Sequence, residues 1–337
     1  MWSRWRINLK AWQMRKFGDP WDELHLAEAD LPAPGPGIVQ IKVEASDLSF
    51  ADILQCLGVY QVKLTPPFIP GMHAAGTVIA VGDDCELAVG DRVIGPTLDT
   101  FGGYAEETML FGAQAFRVPQ GVTSKIAAAM HVTYGTAWFA LHHRAQLQPG
   151  EAILVLAGAG GVGSAAIQMA RARGCWVIAA AGGEEKTRVC SALGADEVID
   201  YSSEDLYGTV QELTDGRGVD VVYDPVGGEH SDAARRLLAF EGRLLIIGFA
   251  SGTIPSVPAN HLLVKNYSVL GVYMGGYQSE DPAVLRRCYA ELHEQLLDGS
   301  IDPLISQVIG FEALPQALRR LSERRSTGRV IFDPELA

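Results

Sequence analysis

The chain has 337 residues and a formal net charge of −13, with 48% hydrophobic and 20% charged residues. This length exceeds what one ordinary hydrophobic core holds, so we expect about two domains. The composition is that of a folded globular protein rather than a disordered one. The acidic balance disfavours a general nucleic-acid or anionic-membrane surface, so we expect neither partner.

The cysteine count and the N-terminal segment bear on the compartment. There are five cysteines, an odd number, and no two form a CxxC pair. This usage favours a reducing compartment over a disulfide framework or a cysteine-rich zinc lobe. The first residues, MWSRWRINLKAWQM, lack the apolar core of a secretory signal. We therefore expect a cytoplasmic protein.

The first 130 or so residues are predicted to be short strands with frequent turns. Residues 37–43, GIVQIKV, alternate apolar and polar side chains, as a half-buried strand does. Further strand patterns follow at 77–81 and 91–94, each bounded by Gly, Asp or Pro. This part of the chain is expected to be mainly β.

From about residue 131 strands and helices alternate. Strands are predicted over 152–157, 175–181, 197–201, 219–224 and 242–248, and helices over 161–173, 184–193, 204–214 and 230–239. Strands that alternate with helices at this spacing pair in parallel through right-handed crossovers, so we predict a doubly wound α/β domain over 131–265. The uncharged stretch 152–170 would also be long enough for a membrane helix, but its central glycines favour a strand, a turn and a helix start.

The C-terminal tail is predicted to contain helices near 282–298 and 312–324 and a last strand at 329–332. We assign this tail to the first domain, which is then built from both chain ends. The predicted domains are 1–130 together with 266–337, and 131–265.

The strongest chemical motif is the GxGxxG sequence GAGGVG at 158–163. It follows an apolar strand and opens a helix inside a βαβ unit, which is the context of a dinucleotide site. Gly158 permits a tight turn, Gly160 lets backbone amides approach a pyrophosphate, and Gly163 allows the helix to pack closely on the strand. The plainer alternative is a glycine-rich turn that binds no ligand.

The choice between NADH and NADPH depends on the end of the second strand of that domain. NAD sites usually carry an acid there, about 20 residues beyond the glycines, whereas this chain has Ala-Gly-Gly at 181–183. Lys186 and Tyr201 follow and could bind a 2′-phosphate by charge and hydroxyl. Glu184 could instead serve as the ribose acid, although a carboxylate at a helix start is the simpler interpretation. We predict NADPH.

These features together resemble the medium-chain dehydrogenase/reductase superfamily, and within it the zinc-independent, zeta-crystallin-like quinone oxidoreductase branch. Besides the glycine turn, the matching segments are GDRV at 90–93, GGYAE at 102–106, TYGTA at 133–137, EEK at 184–186, VDVVYDPVGG at 219–228 and IGFASG at 247–252. The resemblance runs from about residue 10 to 333. The first nine residues lie outside it and are interpreted as an extension or a misassigned start.

The resemblance implies a GroES-like domain closing on a Rossmann domain, with the substrate between them, and a homodimer. It also implies cofactor contacts: the glycine turn at the pyrophosphate, Lys186 and Tyr201 at the 2′-phosphate, and Phe249 in the loop bordering the nicotinamide. The full set of predicted cofactor residues is Thr136, Gly158, Gly160, Gly161, Val162, Gly163, Gly182, Lys186, Tyr201 and Phe249.

Zinc-dependent relatives carry a cysteine ligand early, a Gly-His-Glu segment and a four-cysteine lobe. Here the first position is Ser46, and the second segment has Met72 and His73 in place of the histidine and the glutamate. A catalytic zinc needs about three protein ligands. An improvised set of His73 with Asp52, Cys56 or His131 is the disfavoured alternative, so we predict no metal.

Without a metal to polarise the substrate, an acceptor that already takes a hydride readily is favoured. The prediction is hydride transfer from NADPH to a quinone-type small-molecule acceptor, with proximity and water exclusion as the main contributions of the enzyme. Candidate substrate-side residues are Tyr60, a hydrogen-bond or proton donor; Ser49, which takes the place of an Asn in relatives; and Asp52, for which an anchoring role is favoured. Tyr60 could equally be a lid residue without a chemical role.

Two other functions remain open. One is reduction of an activated double bond in an enone, alkenal or enoyl thioester, which uses the same hydride chemistry. The other is a non-catalytic, crystallin-like protein that holds NADPH without turnover.

Overall fold

The computed structural model describes residues 8–336. The strands are β1 (Leu9–Met14), β2 (Leu24–Ala29), β3 (Ile38–Asp47), β4 (His73–Val81), β5 (Arg92–Pro96), β6 (Glu107–Phe111), β7 (Phe116–Arg117), β8 (Ala152–Leu156), β9 (Trp176–Ala181), β10 (Glu197–Asp200), β11 (Val219–Asp224), β12 (Leu238–Ile246), β13 (Ser268–Gly271), β14 (Ile305–Ile309) and β15 (Arg329–Phe332). The helices are α1 (Pro20–Glu23), α2 (Phe50–Cys56), α3 (Ser124–Trp138), α4 (Gly161–Ala172), α5 (Glu184–Ala192), α6 (Leu206–Leu213), α7 (Gly228–Arg236), α8 (Ala259–Lys265), α9 (Tyr277–Glu280), α10 (Pro282–Leu297) and α11 (Leu314–Ser322).

The chain divides into two compact units, Met1–His131 with Ile305–Ala337, and Val132–Leu304. The first unit is mainly β, as predicted, and both chain ends contribute to it. Its largest sheet has seven strands, ordered β14-β15-β3-β4-β5-β7, with β6 paired to β3. The last strand, β15, runs antiparallel to β3 with Ile331 opposite Asp47. Beside this pairing Arg329 and Asp47 form a buried ion pair.

The second unit contains a six-stranded parallel sheet in the order β10-β9-β8-β11-β12-β13. The order reverses direction at β8 and β11, which is the arrangement of a doubly wound Rossmann sheet. All five residues of β8 are buried, as expected for a central strand covered on both faces. The predicted fold class is therefore confirmed, and the carboxyl ends of β8 and β11 form the edge where this fold binds ligands.

The predicted boundary of the first domain is wrong for residues 266–304. These residues belong to the second unit, because β13 pairs in parallel with β12 as the last strand of its sheet. Helix α10 also buries one face within this unit, through Val284, Leu285 and Cys288 among others.

The prediction that residues 1–9 form an extension falls largely outside the described residues. Leu9, the first residue of β1, is buried and pairs with Ala29 of β2.

Candidate functional site

The glycine turn after β8 has two closely packed glycines and one open one. A Cβ at Gly163 would lie 2.3 Å from the carbonyl oxygen of Ala157, and one at Gly158 would lie 2.9 Å from the Sγ of Cys190. A Cβ at Gly160 would meet only the Ala157 oxygen, at 3.3 Å. Gly158 and Gly163 thus bring strand and helix together, while Gly160 leaves room beside the backbone.

Helix α4 begins at Gly161 with Gly160 as its N-cap and without a capping side chain. The first N–H groups of a helix have no acceptor within the helix, and here no side chain supplies one. The helix dipole adds a favourable field for negative charge at the same place. The turn is therefore a suitable cradle for the pyrophosphate of a dinucleotide.

Just after β9, the ring of Tyr201 occupies the space that a side chain at position 182 would need. A Cβ at Gly182 would lie 2.9 Å from Cε2 and 3.3 Å from the hydroxyl oxygen of Tyr201. An acid at position 182 would collide with this ring. Lys186 lies in the first turn of α5, half-buried. Lys186 and Tyr201, the two residues predicted to bind the 2′-phosphate, thus follow neighbouring parallel strands at the same end of the sheet.

Glu184, the alternative ribose acid, lies in the first turn of α5 with its side chain 80% exposed and paired to Arg188. This geometry is that of a helix-start carboxylate. The turn itself is held by Asp200, a residue that the sequence interpretation missed. Its Oδ1 accepts the Gly183 N–H at 2.8 Å and the Ser202 N–H at 2.9 Å, and the first of these bonds lowers the pKa of Asp200 below its usual range.

Phe249 and Thr136, the two remaining cofactor candidates, also lie in the second unit, but outside the glycine turn and the β9 end. Phe249 follows β12, and a Cβ at Gly227 would meet its ring at 3.3 Å. Thr136 is half-exposed on α3, next to Gly135. A Cβ at Gly135 would lie 2.6 Å from the Sδ of Met274, so α3 packs tightly against the short 3-10 helix Met274–Gly276.

Ser49 and Asp52, two of the three substrate-side candidates, pair with each other in the first unit. Ser49 is the N-cap of α2, and the two residues form a capping box. The Ser49 hydroxyl donates to Asp52 Oδ2 at 2.5 Å, and Asp52 Oδ1 accepts the Met72 N–H at 3.0 Å. Burial raises the pKa of Asp52, although these hydrogen bonds counteract the shift. Asp52 therefore anchors the start of α2 and the Met72 segment.

Tyr60, the third candidate, follows α2 in a loop with an apolar surface. Its backbone N–H donates to the Leu54 carbonyl at 3.2 Å. The side chain is half-buried, whereas the neighbouring Val59 and Val62 are 67% and 39% exposed. The cofactor candidates and these three residues thus lie in different units.

Comparison with known proteins gives matches over most of the chain. Residues 35–131 match the alcohol dehydrogenase GroES-like domain, and residues 161–290 match the zinc-binding dehydrogenase family. Quinone oxidoreductase-like protein 2 of Bos taurus is 42% identical over 299 residues, which cover 88% of this chain and 85% of that protein. The chain belongs to the medium-chain dehydrogenase/reductase superfamily, in its quinone oxidoreductase branch.

Two solved structures in this superfamily illustrate the likeness. The Escherichia coli quinone oxidoreductase, solved in complex with NADPH, is 27% identical with a TM-score of 0.89, and the match covers 96% of this chain and 100% of that one. The CurK enoyl reductase is 26% identical with a TM-score of 0.85, covering 97% of this chain and 99% of that one. The GroES-like and Rossmann assignments are confirmed by these matches.

The positions that hold zinc in other members of the superfamily carry different groups here. The buried Ser46 hydroxyl donates to the His73 carbonyl at 2.7 Å. The His73 ring lies 5.3 Å from the His131 ring, centre to centre, and burial lowers the pKa of His73 to about 4. Within residues 8–336 no group of three or more His, Cys, Asp or Glu side chains is arranged to hold a metal. No helix in that range has the length and apolar character needed to cross a bilayer.

Proposed function

We propose that this chain is an NADPH-dependent oxidoreductase that reduces a quinone-type acceptor without a metal ion. The observation that carries the proposal is the combination of an open, uncapped glycine turn with a tyrosine ring at the strand end where NAD sites carry an acid. The NADPH-bound E. coli quinone oxidoreductase supports the choice of cofactor and acceptor class.

The cofactor residues fit NADPH by their chemistry. The first N–H groups of α4, from Gly161, Val162 and Gly163, would bind the pyrophosphate. Lys186 and the Tyr201 hydroxyl would bind the 2′-phosphate through charge-assisted hydrogen bonds. Thr136 and Phe249 are assigned to the nicotinamide half.

NADPH, when bound, supplies the hydride. The residues of the chain then have to hold the acceptor and exclude water. They also have to stabilise or protonate the oxyanion or enolate that hydride addition leaves on the acceptor. Tyr60 is proposed to donate a hydrogen bond or proton to the acceptor oxygen. Ser49 and Asp52 are proposed as positioning residues, because each already engages the other and Asp52 also holds the Met72 segment.

Independence from metal is proposed from the residues at the zinc positions. A serine hydroxyl that donates to a carbonyl and a methionine thioether are poor ligands for a catalytic zinc, which prefers thiolate, imidazole and carboxylate. Residues 161–290 nevertheless match the zinc-binding dehydrogenase family, and treatment with a chelator tests the proposal directly. Activity should survive prolonged treatment with a chelator, and loss of activity that added zinc restores would contradict the proposal.

The main experiment follows oxidation of NADPH and of NADH with a panel of 1,2- and 1,4-quinones. We expect Lys186→Ala to raise the dissociation constant of NADPH roughly ten- to a hundredfold, the value of one charge-assisted hydrogen bond, with a much smaller effect on NADH. Arg188→Ala is the matched control, since it removes a positive charge two residues further along α5, from a side chain paired with Glu184. An equal loss for both cofactors in Lys186→Ala would contradict the 2′-phosphate assignment.

A second candidate function is reduction of an activated double bond, favoured by the similarity to the CurK enoyl reductase. Adding 2-alkenals, enones and enoyl thioesters to the panel separates the two. A higher kcat/KM for an enoyl thioester than for every quinone would replace the quinone proposal. Tight NADPH binding without oxidation across the whole panel would support a non-catalytic, crystallin-like role.

We also propose that the protein is a homodimer that pairs along the β13 edge of the Rossmann sheet. An edge strand presents unpaired backbone groups, and β13 is the end strand of the six-stranded order. The adjacent α8 exposes two large apolar side chains, Leu263 and Val264, at 81% and 80%. Such a surface suits association with a second copy better than contact with water.

A further inference from the structure

His230 contacts the tyrosine that is assigned to the 2′-phosphate. It lies in the first turn of α7, and its ring centre is 4.7 Å from that of Tyr201, with 44° between the ring planes. Such a tilted contact at this distance is within the range of favourable aromatic pairs. None of the roles assigned so far uses His230.

The position of His230 is fixed by the end of β11. The buried carboxylate of Asp224, the last residue of that strand, accepts the Val226 N–H at 2.8 Å and the Gly227 N–H at 2.9 Å. Helix α7 begins directly after this turn. The imidazole is therefore attached to a rigid strand end rather than to a free loop.

The Tyr201 ring has a second contact, at Gly182. The space where a Cβ of residue 182 would lie is 2.9 Å from Cε2 of the ring. In addition, the Tyr201 backbone N–H donates to the Ala181 carbonyl at 3.1 Å. Backbone and ring are thus held by the ends of β9 and β11, although Tyr201 itself follows β10.

We infer that His230 is a positioning residue for recognition of an adenosine 2′-phosphate: its ring holds Tyr201 against Gly182, so that the phenol hydroxyl stays at the phosphate site. The inference rests on the proposed NADPH site. Removal of the imidazole takes away one of the contacts of the Tyr201 ring. The Tyr201 hydroxyl then spends less time in the position where it can bind a phosphate. A ligand without a 2′-phosphate does not use this hydroxyl and is unaffected.

The test is a calorimetric titration with two probes, adenosine 2′,5′-bisphosphate and ADP. Relative to the wild type, His230→Ala should weaken the 2′,5′-bisphosphate about tenfold and ADP less than about twofold, as expected for one weakened charge-assisted hydrogen bond. His230→Phe, which keeps a ring but no ring nitrogen, should stay within about twofold of the wild type for both probes. Unchanged ADP binding also verifies that each variant is folded.

A double-mutant cycle with Tyr201→Phe tests whether His230 acts through the tyrosine. Once the hydroxyl is absent, adding His230→Ala should weaken the 2′,5′-bisphosphate by less than about a further twofold. The inference is overturned if the double variant weakens 2′,5′-bisphosphate binding by the product of the two single effects. It is also overturned if His230→Phe binds this probe as weakly as His230→Ala does, or if His230→Ala leaves the preference for the 2′-phosphate unchanged.

The same titrations separate this inference from the function it rests on. If Lys186→Ala and Tyr201→Phe both keep the wild-type preference for the 2′,5′-bisphosphate over ADP, the proposed 2′-phosphate site is wrong. If these two variants lose the preference and His230→Ala retains it, the site is right and only the role of His230 is refuted.

Discussion

At the scale of single residues, His73 couples stability to pH. Burial lowers its pKa in the folded protein to about 4, whereas an unfolded histidine titrates near 6.5. Between these values the unfolded chain binds a proton that the folded chain does not, so stability falls as the pH drops from about 6.5 to about 4, by up to roughly 3 kcal/mol. We expect His73→Gln, which cannot titrate, to lose less stability than the wild type between about pH 7 and about pH 4.5. Urea unfolding at both pH values measures this, and equal losses would contradict it.

Some residues near the proposed 2′-phosphate site could be predicted from the sequence, and others could not. Gly182, Lys186 and Tyr201 were predicted because they follow the ends of two predicted strands, and because Lys186 and Tyr201 match the 2′-phosphate positions implied by the family resemblance. Asp200 and His230 were missed, since their partners come from other elements: Asp200 accepts a hydrogen bond from Gly183, and His230 meets Tyr201 from a different strand–helix connection. Contacts of this kind depend on the assembled sheet, which a local pattern does not encode.

At the scale of elements, the glycine turn offers a matched pair of substitutions with different results. In Gly163→Ala the new methyl group meets the Ala157 carbonyl at 2.3 Å, so we expect a loss of about 1–3 kcal/mol in the free energy of unfolding together with weaker NADPH binding. In Gly160→Ala the methyl group meets only one atom, at 3.3 Å. Stability should change by less than about 0.5 kcal/mol, while NADPH binding falls at least about tenfold because the methyl group blocks the pyrophosphate. Chemical denaturation and cofactor titration measure both, and strong NADPH binding by Gly160→Ala would argue against the cradle.

The capping box of α2 is a second element whose role can be measured. Asp52→Ala removes the acceptor of the Ser49 and Met72 N–H groups, so we expect a loss of about 2–4 kcal/mol in the free energy of unfolding. Ser49→Ala should lose only about 1 kcal/mol, and Ser49→Thr, which retains a capping hydroxyl, less. If Ser49→Thr is as unstable as Ser49→Ala, the hydroxyl does not act as a cap.

The strand β13 explains why the domain boundary predicted from the sequence was wrong. The strong apolar runs of β8 and β11 were recognised from their pattern, and so was the order of alternation. The strand β13 has four residues, none of them buried. A short strand at a sheet edge has neither an apolar run nor a clear alternation, so its membership of the Rossmann sheet follows only from its pairing with β12.

At the scale of the whole molecule, the exposed edge at β13 determines the expected assembly. We expect the wild type to sediment as a dimer and Leu263→Glu to sediment as a monomer, because a charge would have to be buried in the interface. Val89→Glu, which places the same charge on a 67% exposed valine of the first unit, is the control and should remain dimeric. A monomeric wild type, or a dimer that Leu263→Glu leaves intact, would contradict this assembly.

The pairing of β15 with β3 has a consequence for how the polypeptide is made. The first unit cannot complete its sheet until Arg329 has left the ribosome, although β3 was synthesised almost three hundred residues earlier. The Rossmann unit, by contrast, has all of its strands by Gly271, so its sheet can form on the nascent chain. During that interval the β3 edge lacks its final neighbour. A premature stop before β15 would therefore leave the GroES-like unit, rather than the nucleotide-binding one, without the strand that pairs with β3.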